Sequence, residues 1–197
     1  MPDENRRTAS RLSPRDPFVL DTRELGRRAG SMRRLSRTVP APQGLGLDVL
    51  GVPAGADVDL DVRLEAVMEG VLVSLRIRVP LAGECVRCLE PLERSLDTEA
   101  QELFVYPGSE ASDDEAFRLE GDLLDLEPVV RDAVVLTLPL SPVCRDDCPG
   151  LCSECGARLA DDPEHAHETV DPRWAALQGV FVDDRAGAPR AGGEQET

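Results

Sequence analysis

The sequence contains no lysine: all 22 of its basic residues are arginine. Aromatic residues make up only 3 % of the chain against 41 % hydrophobic residues overall, so a core has to be assembled mainly from Val, Leu and Ala. Met1 to Arg15 hold no apolar signal-peptide core, and the longest apolar stretch, Val129–Val143, is interrupted by Arg131 and Asp132. The expectation is a cytoplasmic protein without a membrane partner. No Gly-rich phosphate loop is present, because Gly44-Leu45-Gly46 lacks a third glycine and a preceding strand. The serines, Ser74 and Ser95 among them, have no triad context, and the sequence is read as having no small-molecule substrate and no catalytic residue.

Charge is abundant and unevenly placed. The net charge is −16, yet residues 1–40 hold 10 Arg against 5 acidic residues, and residues 41–197 hold 12 Arg against 33. An acidic body repels phosphate backbones, so any contact with RNA falls to the basic amino-terminal stretch, with Arg27, Arg28, Arg33, Arg34 and Arg37 as the candidate residues. A solubilising acidic surface and a merely disordered arm remain the alternative.

The pattern along the chain is mostly that of strands. Phe18-Val19-Leu20 is a short strand candidate, and Thr22–Arg28 a short helix capped by Asp21. Val39–Pro53 is rich in Pro and Gly and reads as loop. Strict alternation from Val58 to Ala66, a turn at Glu69-Gly70 and a second run from Val71 to Val79 predict a hairpin. Leu92 to Tyr106 reads as a further strand and Pro107–Glu115 as a surface loop. A helix follows Asp125, with Glu127 and Pro128 in its first turn and Val129, Val130, Ala133, Val134 and Leu136 on its buried face. Pro139 and Pro142 end it. A short helix is expected around Arg173–Leu177. The fold class is α+β, an antiparallel sheet with one or two helices and a zinc-bound Cys-rich segment. The organisation expected is a flexible basic arm over 1–15, a single zinc-stabilised domain over 16–182 with a Cys-rich module at about 141–170, and a disordered tail over 183–197.

The six cysteines fall in three pairs: Cys85 and Cys88 as C-x2-C, Cys144 and Cys148 as C-x3-C, and Cys152 and Cys155 as C-x2-C followed by Gly156. A C-x2-C turn lets two thiolates face one ion, and a glycine after it permits the positive φ such turns need. The only two histidines, His165 and His167, lie ten residues beyond Cys155 and further on, with Asp161, Asp162, Glu164 and Glu168 around them as acceptors for the outer ring nitrogens. Eight donors make two tetrahedral zinc sites. Chain proximity divides them into Cys152, Cys155, His165 and His167, and Cys85, Cys88, Cys144 and Cys148. Three other readings stay open: three disulfides, disfavoured in a reducing cytosol; a single zinc on Cys144, Cys148, Cys152 and Cys155; and two ordinary surface histidines.

Two of these stretches resemble a known family. Gly83-Glu84-Cys85-Val86-Arg87-Cys88-Leu89-Glu90-Pro91 and Leu138–Gly156 are similar to the two signatures of the YceD family of large ribosomal RNA subunit accumulation proteins, and Asp171-Pro172-Arg173-Trp174-Ala175-Ala176-Leu177 fits its closing segment. The resemblance covers roughly residues 15–180. It implies a role in accumulation of large-subunit rRNA and in ribosome assembly, and genomic association with a small zinc-ribbon protein of the large subunit. It also implies one metal cluster at Cys85, Cys88, Cys144 and Cys148, and a second pair at Cys152 and Cys155. Many relatives carry C-x-C where this chain has His165-Ala166-His167. The expected partner is a large-subunit ribosomal protein or a pre-ribosomal particle, with rRNA touched directly through the basic stretch. A zinc-dependent hydrolase or nuclease acting on rRNA is a second reading, requiring a three-ligand site open to water. A redox- or zinc-responsive regulator using Cys152 and Cys155 is a third.

Overall fold

A computed structural model describes residues 12–109 and 116–167. The chain divides into two compact units at Gly150/Leu151. Among the described residues the first unit holds the strands and the helix: β1 (Val19–Asp21), β2 (Met32–Pro40), β3 (Gly46–Leu47), β4 (Leu50–Gly51), β5 (Asp57–Ala66), β6 (Gly70–Glu84), β7 (Pro91–Val105), β8 (Leu123–Asp125) and α1 (Glu127–Thr137). Antiparallel sheet with one helix is therefore the architecture among the described residues, in line with an α+β class.

The alternation in β5 does what the pattern predicts. Val58, Leu60, Val62, Leu64 and Ala66 are buried, and Asp59, Asp61, Arg63 and Glu65 lie on the opposite, wet face. A tight turn over residues 67–70, closed by the Val67 N–H donating to the Gly70 carbonyl at 2.9 Å, leads into β6. This strand is longer than its alternating half suggests, fifteen residues, and pairs with β7 over its whole length from Gly70↔Val105 to Glu84↔Pro91. Its other edge is shared: β5 pairs with Asp59↔Arg78 as the last rung, and β4 takes over at Gly51↔Ala82. Pro80 falls in the gap. The Glu84 N–H points to this same edge, where it donates to the Val49 carbonyl, so by parity the missing N–H of Pro80 faces the place where β6 has no partner.

Four expectations are corrected. Thr22–Arg28 is not a helix: the Leu25 and Gly26 N–H groups bond only three residues back, Asp21 accepts from the Arg23 N–H at 2.9 Å as an Asx-turn does, and Gly26 at φ +66° closes the turn. Val39–Pro53 is not all loop, since it contains the end of β2 and the β3–β4 hairpin. Leu136 is not on the buried face of α1. It is 85 % exposed, and Val129, Val130 and Val134 make the packed stripe with Leu138 beyond the helix. The N-cap position of α1 is Leu126 and not Asp125, and it has no side-chain cap; Asp125, one residue earlier, still accepts from the Glu127 N–H at 2.9 Å. The expected helix around Arg173–Leu177, the tail from residue 183 and most of the arm lie outside the described residues, as does Glu168.

The basic stretch is largely strand. In β2, Arg33 and Arg37 sit in register with Leu64 and Leu60, on the core side of the sheet edge. Their heads bond to backbone instead of solvent: Arg37 Nη1 donates to the Pro17 carbonyl at 2.7 Å and Arg33 Nη1 to that of Asp21 at 3.4 Å. These two side chains thereby fasten β1 to the edge of the sheet, their aliphatic stems covering the apolar rim.

Candidate metal centres

The β6–β7 hairpin ends in the loop Cys85–Glu90, and its geometry follows from two backbone bonds. The Cys85 N–H donates to the Glu90 carbonyl and the Leu89 N–H to the Cys85 carbonyl, both at 2.8 Å. The chain can close this tightly only with a left-handed residue after the second cysteine, and Leu89 takes that conformation at φ 59°. In the second unit the same turn recurs. The Cys152 N–H donates to the Ala157 carbonyl at 2.7 Å, the Gly156 N–H donates to the Cys152 carbonyl at 2.9 Å, and Gly156 has φ 73°. Both C-x2-C segments are thus knuckles in which backbone N–H groups turn toward sulfur.

Gly83 explains the start of the first signature. A Cβ there would lie 2.2 Å from the Val49 carbonyl oxygen and 2.8 Å from the Leu50 Cα, so the β3–β4 hairpin crosses directly over a position that only glycine can fill. The segment after α1 then comes to the knuckle. The Val86 N–H donates to the Pro142 carbonyl at 2.9 Å, Arg94 donates to the Val143 carbonyl, and Arg87 Nη1 donates to the carbonyls of Asp146 at 3.2 Å and Cys148 at 3.0 Å.

These contacts bring Cys85, Cys88, Cys144 and Cys148 together with all four sulfurs within 4.8 Å of one another. Cys85 Sγ is 3.9 Å from Cys148 Sγ and Cys88 Sγ 3.8 Å from Cys144 Sγ. A tetrahedral zinc with Zn–S bonds of about 2.3 Å places its sulfurs roughly 3.8 Å apart, so the spacing fits such an ion. All six cysteines are free, which sets the disulfide reading aside for this structure. Cys85, Cys88 and Cys148 are buried; Cys144 is exposed.

Electrostatics set Cys85 and Cys144 apart. Burial pushes the Cys85 thiol up, but the backbone N–H groups of Cys144, Cys88 and Arg87 outweigh it and bring the thiol down to about 6. Desolvation of its sulfur and the adjacent Cys148, Cys88 and Cys85 sulfurs push Cys144 up to about 12. Four sulfurs this close cannot all ionise without a cation between them, and a divalent ion removes that conflict.

The second cluster joins Cys152, Cys155, His165 and His167 within 4.8 Å. The two imidazoles stand edge to face at 83°, with their Nε2 atoms 2.9 Å apart and each 3.2 Å from Cys155 Sγ. Both Nε2 atoms point inward and both Nδ1 atoms point to carboxylates: Asp162 Oδ2 at 3.8 Å from His165 and Glu154 Oε2 at 3.7 Å from His167. The carboxylates lie beyond direct hydrogen-bond reach, on the side where the acid partner of a metal-bound imidazole stands. Cys152 is lowered to about 6, first by the backbone N–H groups of Cys155 and Glu154. Of the acids expected here, Asp162 faces a histidine, while Asp161 lies 3.8 Å from Arg158. Glu154 was missed; its position inside the C-x2-C is the signal that could have found it.

The structure therefore brings together all eight sequence-predicted donors, in the division that chain proximity gives. It does not bring the five arginines together as one arm. Arg33 and Arg37 are occupied at the sheet edge, and Arg27 pairs with Asp122 at 3.5 Å and lies over the Tyr106 ring at 5.0 Å. Arg28 and Arg34 are exposed and form no ion pair among the described residues.

Fold and clusters define a β-rich domain with four cysteines gathered at a hairpin tip, followed along the chain by a small Cys/His unit. Over residues 73–181 the chain matches the family described as Large ribosomal RNA subunit accumulation protein YceD. It is 47 % identical over 165 residues to an uncharacterized protein of Mycobacterium tuberculosis, covering 82 % of this chain and 80 % of that one. Identity to an uncharacterized protein of Mycobacterium leprae is 40 % over 172 residues, covering 85 % of this chain and 79 % of that one. The uncharacterized protein YlbN of Bacillus subtilis is 26 % identical over 108 residues, covering 51 % and 60 %. No solved structure matches the chain at a significant level. The chain belongs to the YceD family, whose description ties it to accumulation of the large-subunit rRNA. No helix among the described residues is long and apolar enough to cross a membrane.

Proposed function

We propose that this chain is a zinc-binding, non-catalytic factor in the accumulation of large-subunit rRNA, acting in the cytoplasm during ribosome assembly through a large-subunit ribosomal protein or a pre-ribosomal particle. The observation that carries this reading is that each cluster supplies four protein donors. An ion held by four protein donors has no open position for water or substrate, which favours a structural role over a hydrolytic one. Two zinc ions per chain would clip the segment after α1 to the β6–β7 hairpin and close the second unit around Cys152, Cys155, His165 and His167. The acidic body favours a basic protein partner. Direct contact with rRNA through Arg27, Arg28, Arg33, Arg34 and Arg37 is the secondary part of the proposal, with Arg28 and Arg34 the most available to phosphate. The test is the ratio of mature large-subunit to small-subunit rRNA after depletion of the protein. A selective fall in the large-subunit species is expected; an unchanged ratio refutes the reading.

A further inference from the structure

Three of the exposed large hydrophobic side chains gather at one place. Val49 (37 % exposed), Val86 (41 %) and Leu89 (59 %) line a single cavity of about 480 Å³ beside the first knuckle, with Asp48 and Glu84 among its other walls. Both carboxylates are exposed. Scattered exposed hydrophobics need no explanation, but a clustered, concave and acid-rimmed group does.

Leu89 sharpens the point. It occupies the left-handed position that Gly156 fills in the otherwise equivalent second knuckle. A leucine there is disfavoured by its backbone conformation and again by the exposure of its side chain, so nothing in the folding of the hairpin selects it. Its side chain is accounted for if something outside the chain covers it.

We propose that this cavity is the docking site for a cationic segment of a partner protein. The segment inserts an aliphatic or aromatic side chain among Val49, Val86 and Leu89 and sets its Arg or Lys groups against Asp48 and Glu84. Charge complementarity selects this occupant: residues 41–197 hold 33 acidic residues against 12 Arg, and an acidic rim repels RNA. The inference rests on the reading that the chain works through a ribosomal protein, and it names the surface used.

The experiment presents the metal-loaded full chain to an array of twelve-residue peptides tiling the large-subunit ribosomal proteins. Captured peptides should be net positive and carry an aliphatic or aromatic residue. Leu89→Gly removes the side chain while keeping the backbone conformation of the other knuckle, and should weaken capture at least tenfold with metal content unchanged. Val86→Ser should act likewise, and Leu136→Ser, on the exposed side of α1, should change capture less than twofold. Failure to capture any peptide, capture unaffected by Leu89→Gly and Val86→Ser, or displacement of Leu89-dependent binding by an rRNA oligonucleotide each overturns the proposal. Re-supplying a depleted strain separates this inference from the functional reading. If depletion lowers the large-subunit rRNA and Leu89→Gly restores it fully, the docking site is wrong and the function stands; if depletion changes nothing, the function itself is refuted.

Discussion

Replacing Cys148 with serine removes one buried donor from the first cluster and should release its ion. On the proposed reading an ion there joins the hairpin tip to the segment beyond α1, and 55 residues lie between Cys88 and Cys144. Treated as a cross-link, closure of a loop this long constrains the unfolded chain by about 4 kcal/mol. Some grip survives the loss, because Val86, Arg87 and Arg94 still hold the backbone of Pro142, Val143, Asp146 and Cys148. Equilibrium urea unfolding followed by far-UV circular dichroism reads the effect. With a slope of about 2 kcal/mol per molar, the midpoint of the sheet transition should fall by about 2 M; chelator should move the wild-type sheet transition to the same place and leave that of the variant, which keeps only the ion of the second unit, unmoved. A variant that loses its ion and keeps its midpoint within about 0.5 M would show that strand pairing alone places the segment, and the clip would have no mechanical role.

Two further perturbations probe the frame around the site. Gly83→Ala puts a methyl group 2.2 Å from the Val49 carbonyl oxygen, against backbone that cannot step aside without lifting the β3–β4 hairpin, so a loss of about 3 kcal/mol and a melting temperature lower by roughly 6–12 °C are expected; an unchanged melting temperature contradicts the close approach. Asp97 accepts two hydrogen bonds from Arg76, at 2.9 and 2.7 Å, and these hold its carboxyl below the usual carboxylate range. Whatever stability the pair supplies is present at neutral pH and lost as pH falls through that lowered value. Because both side chains are about half exposed, Asp97→Asn should nearly match the wild-type midpoint at pH 7 and coincide with it in acid; a large deficit at pH 7 contradicts this.

What could be read from the chain divides along physical lines. The hairpin of β5 and β6 was legible because each strand has one buried and one wet face, which writes period two into the sequence. The division of the eight donors was legible because ligand spacing is a local property. Strand β2 was not: Arg33 and Arg37 occupy core-side positions at an open edge, where long stems cover apolar surface and the heads find carbonyls, so the alternation carries no hydrophobic signal. Strands β3 and β4 are two residues each and are set by Gly46, Gly51 and Gly83 allowing backbones to touch, a tertiary requirement that resembles loop composition. The Thr22–Arg28 helix failed because an Asx-turn and a helix cap use the same aspartate, and only Gly26 distinguishes one turn from several. Leu136 was misplaced by a few tens of degrees around a short helix whose packed stripe is only three valines wide.

The reading of a closed, structural metal pair is decided by zinc K-edge X-ray absorption on the purified full chain together with its metal content. Six sulfur and two imidazole nitrogen donors shared by two ions predict zinc near two per chain, a shell dominated by sulfur with a minor nitrogen component, and no water oxygen. Zinc near zero, or a three-donor ion with an oxygen in the fourth position, would contradict it.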